Sequence, residues 1–417
     1  MRVLRLTGAI EENILAQRRG RDRVAERAAA RIVRDVQRRG DAALFHWTTR
    51  FDRLKLQRNN VWVTRDELRS ASRRVSAAYL DSVDHAARNI RAVARRQKPR
   101  EWNFQVEPGV RASQRVRPIE TVGCYVPGGR FSLVSTLLMT AIPAQEAGVR
   151  NIVIVSPQPG DELLAAAERL GLRKIARVGG AQAIAALAYG TQSIPRTDKI
   201  FGPGNRYVTA AKRLVSADCA IDLLAGPTEA VVFATGGNPA FIAADLLAQA
   251  EHDPDAVALF VTTSLKFGRS VAGKIEKQLA RLPKSNPARP SLAKNGAVLV
   301  APNLAAAARF VNCFAPEHLS LPGTASRLAD RFDSAGSIFL GDWSAQSFGD
   351  YASGTNHVLP TGGVGRARGG LSTADFVKCV SLQEVSRAGL ARLAPVVKQF
   401  AKAEGLLAHA RAVEVRE

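Results

Sequence analysis

The chain has 417 residues, 46% of them hydrophobic, enough to bury more than one core. No apolar run reaches the roughly 20 residues of a membrane helix, and the start Met1-Arg-Val-Leu-Arg-Leu lacks a signal-peptide core, so a cytoplasmic protein is expected. The formal charge of +22 raises nucleic acid as a partner, yet aromatics make up only 6%, too few for base-stacking platforms, and no nucleic-acid module occurs.

Residues 22–39 place Val24, Ala28, Ile32 and Val36 on one face with Arg filling much of the rest, an amphipathic helix stopped by Gly40. A second helix begins at Asp41, a residue type suited to N-capping, and a third, Arg-rich one spans 79–96. The first hundred residues hold 25 Lys and Arg against 11 Asp and Glu. Spread along helical faces, these charges read as a solvated basic surface. His46 and His85 fall inside the same helices and read as packed or surface side chains.

From residue 121 short apolar runs alternate with helices. Strands are expected at 152–155, 174–178, up to Ile200, and at 220–224, with helices at 161–170, 181–189 and 206–215. Further strands follow at 230–234, 257–262, 297–300 and 337–340, while 284–294 reads as a loop. Runs that are apolar throughout argue parallel sheets covered on both faces. The expected fold is therefore α/β, with two Rossmann-like parallel-sheet domains. No G-x-G-x-x-G occurs, so the standard dinucleotide fingerprint is absent.

Three glycine-marked strand ends remain as candidate phosphate cradles: Tyr125-Val-Pro-Gly-Gly-Arg130, Gly179-Gly-Ala-Gln182 and Gly202-Pro-Gly-Asn205. Glycine also serves plain βα turns, so it is their clustering that points to a ligand crevice. Helical spacing puts Gln249 and His252 on one face, and with Asp350 and His409 they make a donor set that zinc could accept. Gln is an uncommon ligand, and nothing in the spacing resembles H-E-x-x-H. Cys124, Cys219, Cys313 and Cys379 form no C-x-x-C pair, so neither a disulfide framework nor a thiolate site is indicated.

Two stretches carry acid–base chemistry. Ala315-Pro-Glu-His-Leu319 sets an acid beside an imidazole; on an extended segment they would address different parts of one site, or simply lie in an exposed loop. Gly349-Asp-Tyr-Ala-Ser-Gly-Thr-Asn-His-Val-Leu-Pro360 crowds Asp350, Ser353, Thr355, Asn356 and His357 together. Its glycines and proline make it a polar loop at the end of a buried strand 337–340, or a surface turn bonding its own backbone.

Taken together, these stretches resemble the histidinol dehydrogenase family. The matching runs are Gly123-Cys-Tyr-Val-Pro-Gly-Gly-Arg130, Gly202-Pro-Gly-Asn205, Ala225-Gly-Pro-Thr-Glu229, Ala248-Gln-Ala-Glu-His252, Ala315-Pro-Glu-His-Leu319, Gly341-Asp-Trp343 and 350–360. Arg39-Gly-Asp-Ala-Ala-Leu and Phe51-Asp52 resemble the family's early helices. The resemblance implies one zinc per subunit on Gln249, His252, Asp350 and His409, with Glu317 and His318 as the acid–base pair. Thr228, His357 and Glu404 would hold the substrate alongside Gln249, His252, His318, Asp350 and His409, and Tyr125, Gln182 and Asn205 would contact NAD.

The implied reaction is L-histidinol to L-histidine through the aldehyde, with two NAD. A related zinc- and NAD-dependent enzyme for another small alcohol, such as a sulfonated diol, is the alternative. A homodimer is implied whose C-terminal tail supplies Glu404 and His409 to the partner's site. The division follows: an N-terminal arm 1–20, a first α/β domain of 21–120 with 229–372, an NAD-side domain 121–228, and a tail 373–417. Thr228 stands where the family often carries Ser, and 362–370 is richer in Gly and Arg than the family pattern.

Overall fold

The computed structural model describes residues 1–18, 22–128 and 133–417. Gly129 and Arg130, and the boundary between 20 and 21, lie outside the described residues.

The α/β expectation holds, and both parallel sheets wind the same way. One comprises Thr121–Tyr125, Asn151–Val155, Ile175–Ala176, Lys199–Phe201 and Ala220–Ile221. Thr121–Tyr125 is central; the next two strands lie on one side of it and the last two on the other. That order leaves a crevice where the winding reverses, between Thr121–Tyr125 and Lys199–Phe201. The second sheet repeats the order around Glu229–Phe233. Val257–Thr262 and Ala297–Val300 lie on one side, His318–Leu321 and Ser337–Leu340 on the other.

Arg2–Arg5 is a sixth strand of this second sheet, parallel to Ala297–Val300. The first residues thus extend that sheet ahead of the helix Gly8–Gln17; a four-residue run shows too little periodicity to announce itself. A third sheet is antiparallel and joins Trp102–Glu107, Val110–Pro118 and Val377–Val385. The tail strand Val377–Val385 is mostly exposed, so its sequence lacks the buried alternation that marks a strand.

Helix placement corrects the expected division of the chain. Val63, Leu68, Val83 and Ile90 pack with Val122 and Ile154 on one face of the five-stranded sheet. Ala29, Ile32, Val36, Leu44 and Trp47 pack with Val153, Ile184 and Ile200 on the other. The helices Arg23–Arg39, Asp41–Asp52, Arg65–Arg74 and Ala77–Gln97 therefore cover the sheet of 121–221, not the sheet that starts at Glu229. Periodicity marks which face of a helix is buried but not which sheet receives it.

Ion pairs cross the same junction: Arg74 to Asp161 at 2.5 Å, Arg169 to Asp84 at 2.6 Å, Arg95 to Glu146 at 2.9 Å and Arg206 to Asp22 at 3.1 Å. Exposed pairs of this kind stabilise by about 0–1 kcal/mol each, so they tune placement more than they hold it. Part of the basic excess is thus engaged within the chain.

Two smaller expectations change. Asp41 does not cap its helix; Gly40 is the N-cap. The Asp41 carboxylate is buried and accepts from Ser193 N at 3.0 Å, Ser193 Oγ at 2.8 Å and Arg58 Nε at 3.1 Å. The segment 284–294, read as a loop, holds most of the helix Ala288–Asn295, whose buried Ala288, Ser291 and Leu292 dock it under the second sheet.

Candidate active site

The second sheet gathers the candidate acid–base residues at the amino ends of two adjacent strands. Thr228 and Glu229 open Glu229–Phe233; Glu317 and His318 open His318–Leu321, with His318 in register with Ala230. The helix Pro239–Ala250 returns the chain to this end, bringing Gln249 on its last turn and His252 just beyond. The short helix Gln346–Tyr351 carries Asp350, and the irregular segment after it carries His357. This corrects the loop expectation on two points. Gly349, Asp350 and Tyr351 are helical, and Ser337–Leu340 is an edge strand with Ile338 and Leu340 exposed, so its apolar run is not a buried one.

Glu317 is held by one oxygen. Its Oε2 accepts from Thr228 Oγ1 at 2.5 Å and from Glu229 N at 2.9 Å, while Oε1 has no hydrogen bond among the described residues. Thr228 Oγ1 in turn accepts from Gln249 Nε2 at 2.6 Å. Burial lifts the Glu317 carboxyl to about 7, against the two hydrogen bonds that favour its charged form. His318 is also buried, which disfavours its cation despite the nearby Asp350. Its Nδ1 lies 3.7 Å from Glu317 Oε2 and 3.4 Å from the Glu229 carbonyl; its Nε2 lies 3.8 Å from Asp350 Oδ1. His357 Nδ1 donates to the Asp350 carbonyl at 2.8 Å, and burial likewise lowers its pKa.

The candidate metal donors are oriented by their other ends. Gln249 spends its amide nitrogen on Thr228, leaving Oε1 as a ligand atom. His252 Nδ1 bonds the Ala248 carbonyl at 2.9 Å, leaving Nε2 in the tautomer that binds a metal. Asp350 carries a carboxylate into the same cluster. These three fit zinc by donor chemistry. Glu404 and His409 do not join them: both are exposed on the tail, at the end of Arg387–Ala403 and on Leu407–Glu414. Among the described residues no group of three or more His, Cys, Asp or Glu is placed to hold a metal.

The candidate cofactor residues sit at the carboxyl ends of the other sheet. Tyr125, buried at the end of its strand, accepts from Gly180 N at 3.1 Å, and burial pushes its phenol up to about 12. Gln182 lies on the first turn of Gly180–Tyr189, 1% exposed; its Nε2 reaches Asp52 at 3.4 Å and its Oε1 has no partner among the described residues. A buried acceptor without a donor is what a bound hydroxyl would satisfy. Asn205 caps Arg206–Val215, accepting from Tyr207 N at 3.0 Å and Val208 N at 3.1 Å, so its carbonyl is committed and only its amide nitrogen remains. Between these groups Gly202, at φ 107°, lies against the Tyr125 carbonyl where no side chain fits.

Two residues of the site carry no role in the motif reading. Glu229 and Arg18 form an ion pair with both side chains nearly buried. The available signal was an acid opening an otherwise apolar strand.

The chain is similar to known proteins along nearly its whole length. The family model described as histidinol dehydrogenase matches residues 16–417. A histidinol dehydrogenase of Vibrio vulnificus (strain YJ016) is 47% identical over 395 residues, covering 93% of this chain and 91% of that protein. One from Geobacter sulfurreducens is 45% identical over 410 residues, covering 97% and 96%. The crystal structure of histidinol dehydrogenase from Elizabethkingia anophelis superposes with a TM-score of 0.94 at 36% identity, covering 100% of this chain and 98% of that one. With the match spanning nearly every residue, the chain belongs to the histidinol dehydrogenase family.

Proposed function

We propose that this NAD-dependent oxidoreductase converts L-histidinol to L-histidine through L-histidinaldehyde, closing histidine biosynthesis in the cytoplasm. It uses two NAD and one zinc per subunit. One observation carries the reading: Glu317 and His318 are buried side by side with Glu317 Oε1 and His318 Nε2 left for a substrate.

Zinc would be held by Gln249, His252, Asp350 and the partner's His409, and NAD by Tyr125, Gln182 and Asn205. When bound, NAD accepts each hydride and zinc fixes the amino alcohol in place. The chain's own groups move the protons. His318, neutral because it is buried, takes the hydroxyl proton at Nε2 as the alcohol becomes an aldehyde. Glu317 then removes a proton from water as the water adds to the aldehyde carbon, and His318 returns its proton to the aldehyde oxygen, giving the hydrate and a neutral His318. His318 accepts the hydrate's hydroxyl proton as the acid forms. Thr228, His357 and the partner's Glu404 would position the substrate. A homodimer is part of this reading, since Glu404 and His409 are exposed and away from the cluster in a single chain.

The test is the number of NADH formed per histidinol, before and after zinc chelation. Two NADH per substrate, lost on chelation and regained with zinc, is expected. One NADH with released aldehyde, or turnover indifferent to chelation, would refute it.

A further inference from the structure

Arg18 ends the first helix, Gly8–Gln17, as its C-cap, far in sequence from the acid–base pair, yet its side chain is nearly buried against Glu229. It grips three things. Its Nε and Nη2 take both oxygens of Glu229 in a fork, Nε at 2.7 Å. Its Nη1 donates to the carbonyl of Phe314, and its guanidinium carbon lies 3.6 Å from the centre of the Phe314 ring. Glu229 also accepts from Gly362 N at 3.2 Å.

These partners are the two segments that set Glu317. Phe314 ends the helix Leu304–Phe314, and Ala315, at φ 47°, turns the chain into Pro316 and Glu317. Glu229 supplies the backbone N–H that holds Glu317 Oε2 and the carbonyl facing His318 Nδ1. Burial and the neighbouring Glu317 raise the Glu229 carboxyl to about 6, and Arg18 opposes that shift. Removing the cation would leave Glu229 charged in an apolar site, a state a buried carboxylate escapes by moving or by protonating.

We propose that Arg18, acting through Glu229, is a positioning residue that fixes the orientation of Glu317 for the aldehyde-oxidising step. The inference rests on the acid–base role given above to Glu317. Arg18 touches no reacting atom; it keeps the strand opening at Glu229 and the turn entering Glu317 in one geometry. A displacement on the order of 1 Å at such a group lowers the rate by about 100-fold.

The experiment compares the two steps separately in the zinc-loaded enzyme: oxidation of histidinol in a single turnover, and oxidation of added histidinaldehyde. Arg18→Met is expected to slow the aldehyde step by about 100-fold while the alcohol step falls by less than about tenfold. Arg18→Lys is expected to recover part of the loss, because it restores the charge without the fork. In a Glu317→Gln background, Arg18→Met should add nothing further to the aldehyde-step loss, a coupling that a general loss of packing would not produce.

Equal losses in both steps, or losses that multiply in the double variant, would overturn the proposal. If Glu317→Gln shows the aldehyde defect and Arg18→Met does not, the positioning role falls while the role of Glu317 stands. If Glu317→Gln spares the aldehyde step, both fall together. Should Arg18→Met not fold, Glu229→Gln reads the same comparison from the other partner of the fork.

Discussion

The hydroxyl of Thr228 donates to Glu317 Oε2 at 2.5 Å, and Thr228 Oγ1 itself accepts from Gln249 Nε2 at 2.6 Å. A single hydroxyl therefore links the acid–base carboxylate to a candidate metal donor. Thr228→Ser keeps that hydroxyl, and its activity should stay within about threefold of the parent. Thr228→Val keeps the shape but removes a donor from Glu317 and an acceptor from Gln249, a loss of about 1–3 kcal/mol in a buried setting. We expect kcat to fall by about 10–100-fold, with zinc affinity weakened as well. Steady-state kinetics with zinc titration of both variants checks this.

The raised pKa of Glu317 has a measurable sign. Burial moves it from its usual 4.5 to about 7, so between those values the native state binds a proton that the unfolded state releases. This group's contribution to stability is therefore complete below about pH 4.5 and is lost as pH rises through about 7. In zinc-free protein, Glu317→Gln removes that dependence. The variant should be more stable than the parent at about pH 8, by on the order of 2 kcal/mol, with the gap closing toward about pH 5. Urea unfolding across that range is the measurement.

The proposed assembly of the metal site across subunits predicts complementation. His252→Ala and His409→Ala homodimers should each fail to retain zinc, since each lacks one of four ligands. Mixed dimers carry one site with both ligands intact and one with both missing. Random mixing should thus restore roughly a quarter of the parent activity and zinc content. No recovery on mixing would mean that His409 serves its own subunit or no site at all.

The clamp behind the candidate cofactor loop should be the chain's most sensitive buried pair. Lys212 and Asp222 form an ion pair with almost no exposure; Lys212 also donates to the Gly202 carbonyl at 2.9 Å and Asp222 accepts from Gly202 N at 2.7 Å. Lys212→Met leaves a buried carboxylate unpaired and should destabilise by about 3–5 kcal/mol. The paired change Lys212→Met with Asp222→Leu should recover much of this in thermal unfolding, but not the hold on Gly202, so KM for NAD should stay raised.

Much of the fold was legible because buried strands leave continuous apolar runs between breakers. Val257–Thr262, Ala297–Val300 and Arg206–Val215 fall at the residues expected. Arg65–Arg74 escaped because only Leu68 and Ala71 are buried in it, too few to display a period. The cluster of Glu317, His318, Asp350 and Gln249 was legible from its motifs, and the structure brings these residues together. Glu229 and Arg18 were not, because their partnership spans 211 residues and exists only once the sheet has formed.

The strand Arg2–Arg5 is made long before Ala297–Val300, the strand it pairs with in the sheet. The helices of 23–97 and the strands of 121–221 can meanwhile complete their own sheet as one unit. The other sheet closes later, when His318–Leu321 slides in beside Glu229–Phe233 and sets Glu317 in its place. A chain cut short before that moment would lack both the candidate acid–base pair and Val358, Leu371 and Phe376, which complete the core of the first sheet.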